Sequence, residues 1–397
     1  MVASEWLLSV RGFRGRGTDG CVGRMVLGAV TSACYGIAQR ATAFNREGSG
    51  VAKKEKGSSK PCPKMRYSFL RILTGSDLSR RRLPLMSAVS ANAGPVVWLT
   101  ACGHGDEVGG IVIIQEVFKR LRRRLTCGAV HAFPLMNPLG FETASRNITM
   151  SREDLNRSFP GNPAGSLGER IAHRIFTAIV ETKPALVLDL HNDWMESIPY
   201  VLLDREPGPG HKAAYQQAIA AGRQAGFCVI VDTEELNKAL SYSLLLHDVP
   251  ALTLELGKAH VVSEANVTFG LEAIWNILAH LGMTAPRENV FHYPLPEAYG
   301  GGRLLSYSDR PYGSKTGIIR FLAKSGQEVR AGQPFARIVN AFGKLQETVV
   351  AASDAIVLGH SDTSAAFPGM PIMAFGVAPA ARDCRAGGSG GRITGNG

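Results

Sequence analysis

No stretch of the 397-residue chain reaches the roughly 18 consecutive apolar residues that a membrane span requires, so a membrane is excluded as an expected partner. The seven cysteines, at positions 21, 34, 62, 102, 127, 228 and 384, show no CxxC spacing. An odd, dispersed set argues against a disulfide framework and suits a reducing, cytoplasmic compartment. Beyond residue 93 there is no excess of either charge. The formal +11 resides in residues 1–93, with 16 Lys+Arg against 5 Asp+Glu, while the remaining 304 residues hold 28 of each. A basic segment without a binding motif argues against nucleic acid as the partner of the main domain.

What is present is a chain that is 45% hydrophobic and 19% charged, which suits a globular protein of one large domain and a smaller one. Residues 1–64 read as a disordered basic extension. Their apolar run "MVLGAVTSACYGIA" starts too deep for a signal peptide, and Met65 would serve as the start of a self-sufficient protein. Residues 380–397, ending in "RAGGSGGRITGNG", read as a disordered tail. Between them, "GPVVWLT", "GAVHAFPL", "PALVLDLH", "IPYVLLD", "FCVIVD" and "VPALTLELG" read as strands. Helical segments such as "SLGERIAHRIFTAIVE", with Ser166 and Glu169 spaced as a capping box, alternate with them. The pattern predicts an α/β domain over 65–284, a parallel or mixed central sheet flanked by helices. From 285 to 379 the texture changes to short β-prone runs broken by Gly, Pro and Ser, a small β-rich domain. Its rhythm resembles biotinyl/lipoyl-like modules, but the nearest lysine, Lys344 in "FGKLQET", lacks the Met-Lys-Met or Asp-Lys-Ala setting. A structural cover is the expected role.

In open α/β sheets, ligands bind beyond the carboxyl ends of the strands. His104 and Glu107 follow one predicted strand, Asp189 and His191 end a second, and Glu255 ends a third. Any one of these is ordinarily a solvated loop residue; their recurrence at equivalent ends is not. A His-x-x-Glu pair with a distant histidine supplies two imidazoles and a carboxylate, the hydrolytic zinc ligand set with one position left for water. Such chemistry also needs a proton shuttle, and Glu255 is placed for it. The segment "NPLGFETASRNITMSREDLNRSFPG" adds Arg146, Arg152, Asn156 and Arg157, donors suited to a carboxylate or an oxyanion. Cys102, two residues before His104, reads as a small buried filler rather than a nucleophile.

The motifs "GHGDE", "NPLGFETASR", "DLNRSFPG", "LDLHN" and "LTLELG" occur in the order seen in the succinylglutamate desuccinylase/aspartoacylase family, which the chain resembles over about 90–375. That family is a branch of the zinc carboxypeptidase-like hydrolases. The resemblance implies one Zn²⁺ per chain on His104, Glu107 and His191, with Glu255 as general base and acid. It further implies that Asn156 and Arg157 hold a substrate carboxylate, and that Arg146, or less fittingly Arg152, assists the oxyanion. Asp154 would orient a ligand histidine. The implied reaction is hydrolysis of the amide bond of a small N-acylated, carboxylate-bearing amino acid. A zinc carboxypeptidase acting on peptide C-termini is the alternative. The oligomeric state is left open, a homo-oligomer included, and Asn192 and Trp194 are expected near the pocket without a definite role.

Overall fold

A computed structural model describes residues 62–378 apart from 75–77, 79 and 234–236. The expected disorder of 380–397, and of 1–64 up to residue 61, lies outside the described residues. An antiparallel pair, β1 (Lys64–Thr74) and β2 (Arg80–Val89), opens the described chain. The α/β run follows as β3 (Val96–Ala101), α1 (Gly109–Arg124), β4 (Ala129–Phe133), α2 (Pro138–Phe141), α3 (Leu167–Val180), β5 (Leu186–His191), β6 (Glu196–Ser197) and β7 (Tyr200–Leu203). It continues through α4 (Lys212–Gln224), β8 (Cys228–Val231), α5 (Leu240–Leu245), β9 (Ala251–Glu255) and α6 (Glu264–His280). The remaining strands are β10 (Leu304–Ser308), β11 (Gly317–Phe321), β12 (Glu328–Val329), β13 (Pro334–Val339), β14 (Leu345–Val350), β15 (Ala355–His360), β16 (Ala365–Ala366) and β17 (Met373–Val377).

The large sheet runs β1-β2-β4-β3-β5-β9-β7-β8-β10-β17-β15-β12, with β6 paired to β15. It is mixed. β4, β3, β5 and β9 are parallel neighbours, whereas β7 runs antiparallel to β9. A separate antiparallel sheet, β14-β13-β11-β16, belongs to the C-terminal part. The sequence suggests a boundary at 284/285, but the main sheet runs across it. β10 pairs in parallel with β8, Leu304 opposite Val229, so β10, β17, β15 and β12 cover an edge that β8 would otherwise leave unpaired. Among the described residues, no helix is long and apolar enough to cross a membrane.

Strand parity decides which side chains reach which layer. Leu188 and Leu190 of β5 and Leu252 and Leu254 of β9 pack with α1, α4 and α6 in one core. Val187 and Ala251, one residue out of phase, pack with α3 and α5 in the other. On that second face the strands turn polar toward their carboxyl ends, through Asp189 and His191 on β5 and Thr253 and Glu255 on β9. The capping box of α3 forms as its spacing predicts, Ser166 Oγ accepting from the Glu169 amide and the Glu169 carboxylate accepting from the Ser166 amide.

Helix α1 begins at Gly109, with the glycine pair inside its first turn. A Cβ on Gly110 would lie 2.8 Å from Ala101 Cβ and 3.0 Å from Leu190 Cβ, so the bare backbone lets the helix start against the strand ends. The β1–β2 pair has no clear sequence signature. Arginines interrupt its alternation, as an edge strand such as β1 tolerates, and Pro84 sits in the part of β2 that precedes its pairing with β4 at Met86–Val89.

Candidate metal centre and catalytic cleft

The turn "GHGDE" leaves β3 and enters α1, and its sharpest backbone feature is Cys102 at φ 55°, not a glycine. Gly105 serves close approach instead, since a Cβ there would lie 2.1 Å from the Gly140 carbonyl carbon. The Cys102 thiol donates to the Gly105 carbonyl at 3.8 Å. Burial, reinforced by Glu107 and Asp106, pushes that thiol up to about 12, so it supplies no thiolate.

His104, Glu107 and His191 are all at least 95% buried, at 3%, 5% and 3% exposure. Their potential ligand atoms lie within 4.8 Å of one another, and among the described residues they form the His/Cys/Asp/Glu group able to hold a metal ion. His104 Nδ1 lies 2.6 Å from Glu107 Oε1, and His191 Nδ1 lies 2.8 Å from Glu107 Oε2. The far nitrogen of each ring meets a second carboxylate. His104 Nε2 is 3.2 Å from Asp154 Oδ1, and His191 Nε2 is 3.0 Å from Asp189 Oδ2. These partners assign the Nε2–H tautomer to both rings, which turns two Nδ1 lone pairs toward an anionic carboxylate. Two imidazole nitrogens and a carboxylate converging in a buried space favour positive charge among them, as a metal ion or as protons on Nδ1. The N, N, O donor set is one zinc accepts, so these residues fit the ion.

The negative surroundings that favour a metal ion there also favour a proton. Burial alone would depress the His191 pKa, but Asp189 and Glu107 outweigh it and raise the imidazole well above its usual range. Burial would likewise raise Glu107, yet His191 and His104 hold its carboxyl well below the usual range. Asp154 is also held low, because His104, Arg146 and Arg157 more than offset its burial.

Asp189 is a site residue whose role the sequence did not disclose. Its Oδ1 accepts from Thr100 Oγ at 2.7 Å while its Oδ2 meets His191, so it does for His191 what Asp154 does for His104. The available signal was the Asp-x-His pattern at a strand end, since residues two apart on a strand share a face. Asp154 also accepts from the Asn156 amide and from Arg146 Nη2 at 3.2 Å. Arg146 Nη1 stands 3.7 Å from Glu107 Oε1, beside the ligand group. Asn192 has a structural role: its Oδ1 accepts from the Gly109 amide, its Nδ2 donates to the Gly257 carbonyl, and its own amide donates to Glu107 Oε2.

These groups line one cavity of about 300 Å³, with Arg146, Asn156, Arg157, Trp194, Asp204 and Glu255 in its wall and Asp362 contributed from the C-terminal part. Glu255 pairs across the sheet with His191 on one side and Tyr200 on the other, and its Oε2 is buried without a hydrogen-bond partner. Burial lifts its pKa well above the usual range. His191 opposes that rise, while Asp193, Glu107 and Asp189 add to it. Asn156 Oδ1 accepts from the Leu240 amide, and Arg157 Nη1 donates to the Asn156 carbonyl. Arg152 is the exception among the sequence candidates. It is exposed, adopts φ 60° in the turn joining Ile148 to Glu153, and does not line the cavity. Of the four polar candidates in that segment, Arg146, Asn156 and Arg157 are the ones that line the cavity.

A buried His-Glu-His centre at the strand ends of a mixed α/β sheet, with an unpartnered carboxylate beside it, defines a deacylase-type zinc-dependent hydrolase of carbon–nitrogen bonds other than peptide bonds. Residues 93–281 match the succinylglutamate desuccinylase/aspartoacylase catalytic domain. The chain is 27% identical over 308 residues to an N-alpha-acetyl-L-2,4-diaminobutyric acid deacetylase of Halomonas elongata, covering 72% of this chain and 86% of the relative. The fold is similar to that of a succinylglutamate desuccinylase/aspartoacylase from Rhodobacter sphaeroides, with TM-score 0.67, 20% identity, and 80% and 97% of the two chains covered. It is similar also to the product-bound ectoine utilization protein EutE (DoeB) of Ruegeria pomeroyi, with TM-score 0.67, 21% identity, and 81% and 100% covered.

Proposed function

We propose that the chain hydrolyses the amide bond of small N-acyl amino acids, with one zinc ion per chain held by His104, Glu107 and His191. The observation that carries this reading is the convergence of that buried triad with the unpartnered carboxylate of Glu255 in a cavity of about 300 Å³. Zinc at such a centre supplies Lewis acidity, lowering the pKa of a water and polarising the acyl carbonyl.

The rest of the chemistry belongs to the chain. Glu255 accepts the proton of the attacking water and delivers it to the leaving amine. Burial raises its carboxyl above the usual range, the direction that makes it a stronger proton acceptor. Asp154 and Asp189 fix the two imidazole orientations through Nε2. Arg146, oriented by Asp154, brings a guanidinium to the carbonyl oxygen where negative charge develops. Asn156 commits its amide oxygen to the Leu240 amide, which leaves its two N–H donors, beside Arg157, for a substrate carboxylate. The cavity volume suits an acylated amino acid better than a peptide chain. The activity named for the Halomonas relative, deacetylation of an N-acetylated amino acid, supports the same reading. A cytoplasmic setting fits the four described cysteines, all free.

The test is metal analysis followed by a panel of N-acetyl, N-succinyl and N-formyl amino acids alongside peptides. Glu255→Gln should retain zinc and lose turnover by at least about 10²-fold, the usual scale for a proton-transfer group. Normal turnover by that variant, or preferential release of C-terminal residues from peptides, would overturn the proposal.

A further inference from the structure

The cavity wall holds four carboxylates that this mechanism does not use, Asp106, Asp193, Asp204 and Asp362, and of these Asp204 combines a buried, unpartnered oxygen with a position outside the metal turn. Asp204 directly follows β7, and strand parity puts it on the same face as Leu202, which lies opposite Thr253, itself opposite Asp189. It therefore stands beyond the row that carries His191, Glu255 and Tyr200, about 13 Å along the strand from Tyr200 at ~3.3 Å per residue. Asp204 is only 7% exposed, yet it lines the cavity and its Oδ2 has no hydrogen-bond partner. Its other contact is with Ser241, at the start of α5. The preceding helix residue, Leu240, donates its amide to Asn156 Oδ1, so the Asn156–Arg157 turn and Asp204 meet the same short helix. One wall of the cavity thus presents a guanidinium and a buried carboxylate together.

Asp193 accepts from Tyr200 Oη at 2.7 Å and Asp362 accepts from the Met195 amide at 2.7 Å, whereas Asp106, whose Oδ1 is also buried and unpartnered, lies within the metal turn between His104 and Glu107. Burial pushes Asp204 up to about 7; Ser241 opposes the shift, and the neighbouring carboxylates Asp232 and Asp189 reinforce it. An anion placed there would be repelled by all three carboxylates, whereas a cation would relieve an otherwise unfavourable burial.

We propose that Asp204 is a specificity residue that receives an ammonium group, so that the cleft takes N-acyl amino acids carrying a second, free amine. This rests on the N-acyl amino acid reading above. The substrate's amide lies at Glu255 and the triad, its carboxylate at Arg157, and its free ammonium at Asp204, which supplies a charged hydrogen-bond acceptor. The arrangement distinguishes substrates by charge at one position, because a neutral side chain leaves the buried carboxylate unpaired.

The test uses the zinc-loaded full chain and matched pairs of Nα-acetyl amino acids. Diaminobutyrate, ornithine and lysine derivatives are set against norvaline, norleucine and 2-aminoheptanoate, in which a methyl group stands in place of the ammonium. At least one amine-bearing member should exceed its neutral isostere roughly 10- to 100-fold in kcat/KM, the scale of a charged hydrogen bond. Asp204→Asn should bring that ratio close to one. Calorimetry with the free amino acids makes the same comparison without turnover, the wild type binding diamino acids more tightly than their isosteres and the variant not. If no N-acyl amino acid is cleaved, the proposed reaction fails, and the calorimetric ratio still decides the role of Asp204. A wild-type ratio near one in both measurements overturns the inference. So does an equal loss on both members of each pair in Asp204→Asn, which would mark a structural role.

Discussion

Replacing Asp189 by Asn tests the metal centre without touching a ligand. Asp189 is 1% exposed, and its two oxygens are divided between Thr100 Oγ at 2.7 Å and His191 Nε2 at 3.0 Å. Asparagine keeps the volume and removes the charge. If its oxygen still faces His191, the tautomer survives and only the electrostatic support is lost. If its NH₂ faces the ring, Nε2 must accept, the proton moves to Nδ1, and the lone pair aimed at Glu107 disappears. A second effect runs the other way. Asp189 raises His191, so its removal reduces the competition of a proton for that nitrogen. A carboxylate stabilises a divalent ion more than a proton at the same distance, so the loss outweighs the relief. The expected net result is zinc binding about 10- to 100-fold weaker, about 1.4–2.7 kcal/mol. Competition for zinc against a chelator of known affinity measures it directly. Thr100→Val, which removes the hydrogen bond to Asp189 but keeps its charge, should lose less. A folded Asp189→Asn protein that holds zinc within about twofold of wild type would refute the orienting role and the tautomer assignment with it.

Arg157→Ala should raise KM for carboxylate-bearing N-acyl substrates roughly tenfold or more, the scale of a lost charged hydrogen bond, with a smaller change on simple acetamides; equal losses on both would contradict anchoring. Gly105→Ala should destabilise the protein by about 1–3 kcal/mol in urea unfolding, because its Cβ would meet Gly140 backbone at 2.1 Å. A wild-type midpoint would show that the "GHGDE" turn has room the structure does not display. Glu272 lies away from the cleft, 3.0 Å from Arg120 and 2.5 Å from Arg287. Burial would raise its carboxyl, but Arg287 and Arg120 hold it below the ordinary 4.5. Its contribution is therefore present above about pH 4.5 and lost as the pH falls through the lower folded value. Glu272→Gln should cost about 0.5–1 kcal/mol at pH 7, a figure limited by partial exposure, and the gap to wild type should close on acidification. A gap independent of pH would refute the ion-pair account.

Much of the fold was legible because α/β alternation is local. The α3 capping box and the apolar runs of β3, β5 and β9 each follow from a few adjacent residues. The β1–β2 pair was not, since edge strands tolerate arginine and need no clean alternation. Nor was the passage of the main sheet across residue 284, because the pairing of β10 with β8 joins residues some 75 positions apart and leaves no short-range mark. At the site, His104, Glu107, His191 and Glu255 were visible as polar residues closing apolar strands. The motif match already favoured Arg146 over Arg152, but the left-handed turn at Arg152 leaves no mark in residue type.

Strand parity explains why the same signal was read on two strands and overlooked on a third. "LVLDLH" and "ALTLE" place polar residues at alternate positions, and the structure puts Asp189, His191, Thr253 and Glu255 on one face. "YVLLD" ends the same way, but its polar residue falls one position past the strand and reads as loop. The pairing of Leu202 with Thr253 carries the parity across the antiparallel boundary and assigns Asp204 to the face of the catalytic groups. Because β7 runs opposite to β9, its end points away from the metal rather than toward it. The antiparallel strand therefore extends the polar face lengthwise, with the metal centre at one end and a buried carboxylate at the other. A wholly parallel sheet would place all such residues at a single edge. The reversal at β7, which β8 and β10 share, gives the cleft a length over which the two ends of a substrate can be distinguished by charge.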